Sequence, residues 1–243
     1  MKKKILTIAL VAALVAIMVS GSLAYFTDRD EVTNTFTIGS VEIEIYENDE
    51  ATPDAVKPLG KLTPVVNTVA PSQDVNYKNK VVDVKNIGKN DAYIRAHIAM
   101  PTALIDYLQL DVTAAGWSYN GTISGSSTTT VEGVEYTVFT YDYLTAVAPD
   151  AFTAELLQGA YLKSNVDLEE DASGNLVFIL RDANGNKTAS SGFVAHIKNA
   201  DGSYTSANVN ILVAAQAIQT EGFSGSATDA LNAGFGANTN PWQ

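Results

Sequence analysis

His97 and His196 are the only two histidines in the 243-residue chain, and no cysteine accompanies them. A catalytic zinc takes three protein ligands, histidine foremost, and keeps one position open. Neither histidine lies in an H-E-x-x-H pattern, which sets two ligands and a general base on one helix face. Both fall in runs that alternate with period two. His97 shares a face with Tyr93 and Arg95, opposite Ile94, Ala96, Ile98 and Met100, while His196 falls beside Val194 and Lys198, opposite Phe193, Ala195 and Ile197. The expectation is two solvent-facing strand histidines. The lack of cysteine removes thiolate ligands, a thiol nucleophile and any disulfide framework. No G-x-S-x-G elbow raises one of the many serines as a nucleophile, and no Walker or dinucleotide-binding fingerprint occurs. The sequence offers no catalytic residue, no metal ligand set and no cofactor site.

Two acidic clusters have oxygen ligands of the kind calcium takes. Asp167-Leu-Glu-Glu-Asp171 reads as a solvated loop. Asp182-Ala-Asn-Gly-Asn186 begins like a calcium-binding loop, but the twelfth position from Asp182 is Phe193 rather than Glu. Its Asn-Gly pair is a turn signal by itself, so a β-turn is expected.

The charge balance excludes other partners. Lys and Arg total 15 against 27 for Asp and Glu, a net charge of −12. Such a surface repels phosphate backbones and anionic headgroups, which argues against nucleic acid. Three of the basic residues, Lys2, Lys3 and Lys4, open the chain, and removing them takes the charge from −12 to −15. They precede the apolar run Ile5–Val19 and then Ser20-Gly-Ser-Leu-Ala24. Basic start, apolar middle and small-residue end form the order of a secretory leader. The apolar run as a helix reaches about 22 Å, short of the roughly 30 Å hydrocarbon core of a bilayer. Residues 1–24 are therefore read as a signal peptide, with Ser22 and Ala24 before the cut and Tyr25 after it, and with the membrane met only before cleavage.

The elements that follow are strands. Val41–Tyr46, Val81–Asn86, Ala92–Met100, Val134–Tyr141, Leu176–Leu180, Phe193–Ile197 and Val209–Ile218 alternate or are rich in β-branched and aromatic residues. Asp182–Asn186 joins two of them as a hairpin. The Gly/Ser/Thr stretch from Asn120 to Gly133 reads as a loop, and short helices are expected near Thr102–Leu110 and Thr228–Asn232. Many short strands without a βαβ rhythm argue for an all-β antiparallel sandwich with short helices in its connections. The sandwich is assigned to residues 37–225 and a loose C-terminal tail to 226–243.

The junction Gly21-Ser-Leu-Ala-Tyr-Phe-Thr-Asp28, followed by Asn34-Thr-Phe-Thr-Ile-Gly-Ser-Val-Glu-Ile43, resembles the TasA/camelysin family. So do Val84–Arg95, Tyr141–Leu144 with Ala148-Pro-Asp150 and Leu156-Leu157, and Ala214–Phe223, in the expected order. The resemblance implies a jelly-roll-like sandwich, export from a Gram-positive bacterium through a SipW-type signal peptidase, and assembly into biofilm matrix fibres. Here Leu176–Ile197 looks like an additional hairpin.

Cleavage would free residues 25–36, which carry apolar Tyr25, Phe26, Val32 and Phe36 around a charged stretch. Such a segment can pair within its own subunit, stay a free terminus, or add as a strand to another copy's sheet. The resemblance favours donation, with those four residues as anchors and copies of the same chain as partners. Donor and acceptor are different surfaces, so the contact is head-to-tail and propagates. The reading is a secreted structural fibre subunit and not an enzyme. Some camelysin relatives are described as metalloendopeptidases, which makes a secreted metalloprotease the alternative. A monomeric binding module that uses the Gly/Ser/Thr loop is a third.

Overall fold

A computed structural model describes residues 27–30, 41–48, 50–51, 59, 62–123, 129–131, 133–237 and 239–242. The chain is an all-β antiparallel sandwich. Its first sheet has the order β1 (Thr27–Asp30), β15 (Leu212–Gln219), β5 (Ala92–Pro101), β9 (Val134–Tyr143) and β7 (Trp117–Ile123), with β8 (Thr129–Val131) also on β9. The second has the order β3 (Glu50–Ala51), β2 (Ile43–Glu47), β4 (Lys78–Asn86), β10 (Leu157–Leu162) and β6 (Leu108–Val112).

Alternation decides which face of each strand is inside. Ile94, Ala96, Ile98, Ala215 and Ala217 from the first sheet meet Ile43, Ile45, Val82, Val84, Leu157 and Leu162 from the second in one core. The turn from β4 to β5 is held by buried Asn86. Its Nδ2 donates to the carbonyls of Asn90 and Val147, both at 2.8 Å, and its Oδ1 accepts from Gly88 N at 3.0 Å.

A third sheet runs β11 (Val166–Glu170), β12 (Leu176–Arg181), β13 (Lys187–Lys198) and β14 (Tyr204–Ser206). It contains the additional hairpin, and its Phe178 and Ala195 join the main core. Asp182 makes the turn: Oδ1 accepts from the amides of Asn184 at 2.9 Å and Asn186 at 2.8 Å.

Four expectations need correction. Asp167–Asp171 is mostly strand β11 rather than a solvated loop, because Lys and Arg on neighbouring strands neutralise it. Asp167 pairs with Arg181 at 2.7 Å, Glu169 with Lys187 at 2.5 Å and Glu170 with Lys198 at 3.4 Å. Thr102–Leu110 holds only a 3-10 turn at Thr102–Leu104 before β6 begins, since the run then alternates across a sheet edge. The Gly/Ser/Thr stretch is partly strand: β7 runs to Ile123, and β8 pairs with β9.

The fourth correction is the C-terminal segment, which is not loose. Ser226 caps helix α1 (Ala227–Phe235) in a capping box with Asp229: the hydroxyl accepts from Asp229 N, and the carboxylate accepts from Ser226 N. Ala227, Ala230, Leu231 and Phe235 recur at helical spacing and are buried. Ala230, Leu231 and Phe235 pack on Ile218, Tyr93 and Phe223, outside the first sheet. Farther on, Trp242 packs with Ala99, Tyr136, Val138 and Leu212.

Candidate functional site

The sheet edge at β15 is where the sequence reading and the architecture meet. Antiparallel pairing sets Thr27 opposite Ile218, Asp28 opposite Ala217, Arg29 opposite Gln216 and Asp30 opposite Ala215. The N-terminal strand thus adds four residues to one side of β15, while β5 pairs with all eight residues on the other. Ala214, Ala215, Gln216, Ala217 and Ile218 are buried. Three alanines give β15 little bulk, so its backbone groups are what a neighbouring strand engages. An unpaired strand margin offers the same backbone groups to any extended segment, and here β1 takes them. Self-pairing of the leading segment is thus realised at Thr27–Asp30, and β3, β6, β7, β11 and β14 also end sheets among the described residues. The cleavage residues Ser22, Ala24 and Tyr25 and the anchors Tyr25, Phe26, Val32 and Phe36 lie outside the described residues.

Behind β15 the outer face of the sheet is polar but covered. Arg95 and His97, expected to face solvent, are fully buried. The alternation was read correctly, but α1 and the C-terminal turn lie over that face. Arg95 donates Nε to Asp142 Oδ1 at 2.7 Å and Nη2 to Asp142 Oδ2 at 3.1 Å. The same guanidinium donates to Asn232 Oδ1 at 2.6 Å and, through Nη1, to the Gly236 carbonyl at 2.7 Å. This fork ties the sheet to the helix and its C-terminal carbonyl, where a cation is favoured.

Both histidines are held by hydrogen bonds. His97 Nδ1 lies 3.1 Å from Thr140 Oγ1 and Nε2 3.3 Å from Gln216 Oε1, with the Trp242 ring 6.4 Å away. His196 sits on the third sheet, half-buried, with Nδ1 3.0 Å from Ser206 Oγ. The two histidines stand on different sheets. Among the described residues no three side chains of the metal-binding types converge, and no helix is long and apolar enough to cross a membrane.

The short helix expected near Thr228–Asn232 is present as Ala227–Phe235, but that it covers the sheet was missed. Its signal was Ser226-x-x-Asp229 followed by apolar residues at helical spacing, the pattern of a capped helix start.

Comparison with family models, with curated proteins and with solved structures gives no match to this chain.

Proposed function

We propose that this chain is an exported structural subunit of extracellular matrix or cell-surface fibres, and that it self-assembles by donating its N-terminal segment to the next copy. The observation that carries the reading is the four-residue ladder of Thr27–Asp30, which among the described residues is all that pairs with that side of buried β15. A segment that fills its own edge with so few pairs can leave it and fill the same edge of a neighbour with the same register. That exchange is domain swapping, a low-cost route from monomer to assembly, and it propagates because donor and acceptor are different surfaces. The leader order and the resemblance to TasA/camelysin proteins point the same way. Before the leader is cut the segment is tethered at the membrane; afterwards it is free to exchange.

Energetics make the process concentration-dependent. Backbone pairs lost in the monomer are regained in the polymer, so the driving force comes from the flanking anchors Tyr25, Phe26, Val32 and Phe36. Four such side chains give a gross term of about 6–12 kcal/mol. Ordering the segment and losing rigid-body freedom consume much of it. Growth should follow a slow nucleation step.

Deleting Tyr25–Thr35 tests the reading. The truncated chain is expected to fold as a monomer that forms no fibres, and a synthetic peptide of residues 25–36 should bind its vacated β15 edge. Fibres from the truncated chain indistinguishable from those of the intact one would contradict it.

A further inference from the structure

The third sheet turns three times on one five-residue pattern. Asp171-Ala-Ser-Gly-Asn175, Asp182-Ala-Asn-Gly-Asn186 and Asn199-Ala-Asp-Gly-Ser203 join its four strands in order. In each turn the first residue's amide donates to the fifth residue's carbonyl, at 2.8, 2.9 and 2.8 Å. The glycine amide donates back to the first residue's carbonyl, at 3.0 Å in all three. Gly174, Gly185 and Gly202 have φ of 80°, 82° and 83°. The residue before the glycine is Ser173, Asn184 and Asp201 in turn, so only the second hairpin places a carboxamide there.

That carboxamide is followed by a main-chain nitrogen that no Cβ shields. Asn184 and Gly185 are exposed, and nothing lies within 4 Å of where a Cβ on Gly185 would stand. The chain's other Asn-Gly pair, Asn120-Gly121, is built differently. It lies inside β7, where Tyr119 and Gly121 stand opposite Tyr141 and Thr140 of β9. Asn120 Nδ2 donates to Asp142 Oδ2 at 3.0 Å, the same oxygen that Arg95 Nη2 engages.

We propose that Asn184 is a site of spontaneous deamidation, and that the fold directs the reaction there and away from Asn120. The Gly185 amide gives its proton to hydroxide, and its nitrogen attacks Asn184 Cγ. The new N–Cγ bond forms as the Cγ–Nδ2 bond breaks, and Nδ2 leaves as ammonia. Water then opens the cyclic imide. Cleavage of the N–Cγ bond leaves an aspartate at position 184, and cleavage at the main-chain carbonyl leaves an isoaspartate. Ring closure at Asn184 needs only the turn bond from Gly185 N to the Asp182 carbonyl to open, a local event at an exposed tip. At Asn120 it needs the β7–β9 ladder to part and the side chain to leave fully buried Asp142.

The two products treat the turn differently. The Asn199 turn carries Asp201 at the matching place with the same glycine geometry, so an aspartate at position 184 keeps the hairpin. An isoaspartate inserts a methylene into the main chain between Asp182 and Asn186 and opens the tip of the β12–β13 hairpin. Either product adds a negative charge to a chain whose net charge is already −12. The reaction needs neither a fibre nor an enzyme.

The test holds the intact folded chain at mildly alkaline pH and digests samples at intervals. Mass spectrometry of the peptides, with fragmentation that separates aspartate from isoaspartate, reads each site. Conversion is expected at Asn184 with Asn120 intact, whereas a parallel sample in urea should convert at both. Asn184→Gln keeps a carboxamide but must close a larger ring, and Asn184→Ser copies the Asp171 turn. Both variants should melt like the parent and show no conversion at position 184. Hydrogen exchange is expected to find the Asp182 and Gly185 amides unprotected in the isoaspartate fraction and protected in the aspartate fraction. Conversion of Asn120 as fast as Asn184 in the folded chain overturns the proposal. So does a folded chain whose Asn184 stays intact over the time in which the urea sample converts.

Discussion

Arg95 and Asp142 stand directly opposite one another on β5 and β9, both without exposed side-chain surface, with Nε 2.7 Å from Oδ1. The pair is the hinge pin of the C-terminal cover, because the same guanidinium reaches Asn232 and the Gly236 carbonyl. Removing one partner leaves a buried, uncompensated charge. Asp142→Ala is expected to cost about 3–5 kcal/mol, read as a lower urea midpoint. Amides of Ala227–Phe235 should lose protection in the same variant, since the cation that holds the helix end then lacks its counter-charge.

Helix α1 should behave as core. Leu231 is fully buried beneath it, and Leu231→Ala is expected to cost about 2–5 kcal/mol. Ser226→Ala removes the cap acceptor for Asp229 N and should cost about 1 kcal/mol. Denaturant unfolding measures both, and a neutral Leu231→Ala would mean that residues 226–243 are the loose tail that the sequence implied.

Gly159 fixes the crossing of Tyr77 over β10. A Cβ there would lie 2.4 Å from the Tyr77 ring and 2.5 Å from the Lys78 carbonyl oxygen, and the latter is backbone that cannot swing away. Gly159→Ala should therefore cost at least about 1–3 kcal/mol through overpacking. It should also break the 2.7 Å hydrogen bond from the Tyr77 hydroxyl to Asp111 Oδ2. A melting curve and the Tyr77 ring signals report the two effects.

The loop Val66–Asn76 before β4, which Asp74 holds through the amides of Val66, Asn67 and Asn76, should loosen in acid. Amides of Asn67, Asn76 and Val66 hold the Asp74 carboxyl below the usual carboxylate range. A group whose folded pKa is depressed stabilises fully above its unfolded value, near 4, and loses that contribution as pH falls through the folded value. Hydrogen exchange at Val66 and Asn67 is expected to be slow at neutral pH and to lose protection below about pH 4. Asp74→Ala should show the unprotected loop at every pH.

Much of the fold was legible because alternation is a local property. Ile43 and Ile45, Val82 and Val84, and Ile94, Ala96, Ile98 and Met100 point inward as their spacing implies. What alternation cannot tell is whether the second face of a strand meets water. Arg95 and His97 read as polar and therefore outward, but a segment more than 130 residues away in sequence covers them. Long-range cover leaves no trace in a local pattern. The acidic run Asp167–Asp171 was misread for a related reason: its cations, Arg181, Lys187 and Lys198, come from other strands. Pairing of the leading segment within its own chain, seen at Thr27–Asp30, was one of the options the sequence left open, while the strand it joins was not singled out, since Val209–Ile218 looks like any buried strand.

Strand donation can be tested directly because the chain has no cysteine of its own. One preparation would carry Asp30→Cys alone and the other Ala215→Cys alone, positions opposite in register across β1 and β15. Neither chain can close a disulfide within itself. Mixed under oxidising conditions that allow fibre growth, they are expected to give a disulfide-linked heterodimer on a non-reducing gel, rising in step with fibre mass. Fibres that grow without that heterodimer would contradict the account.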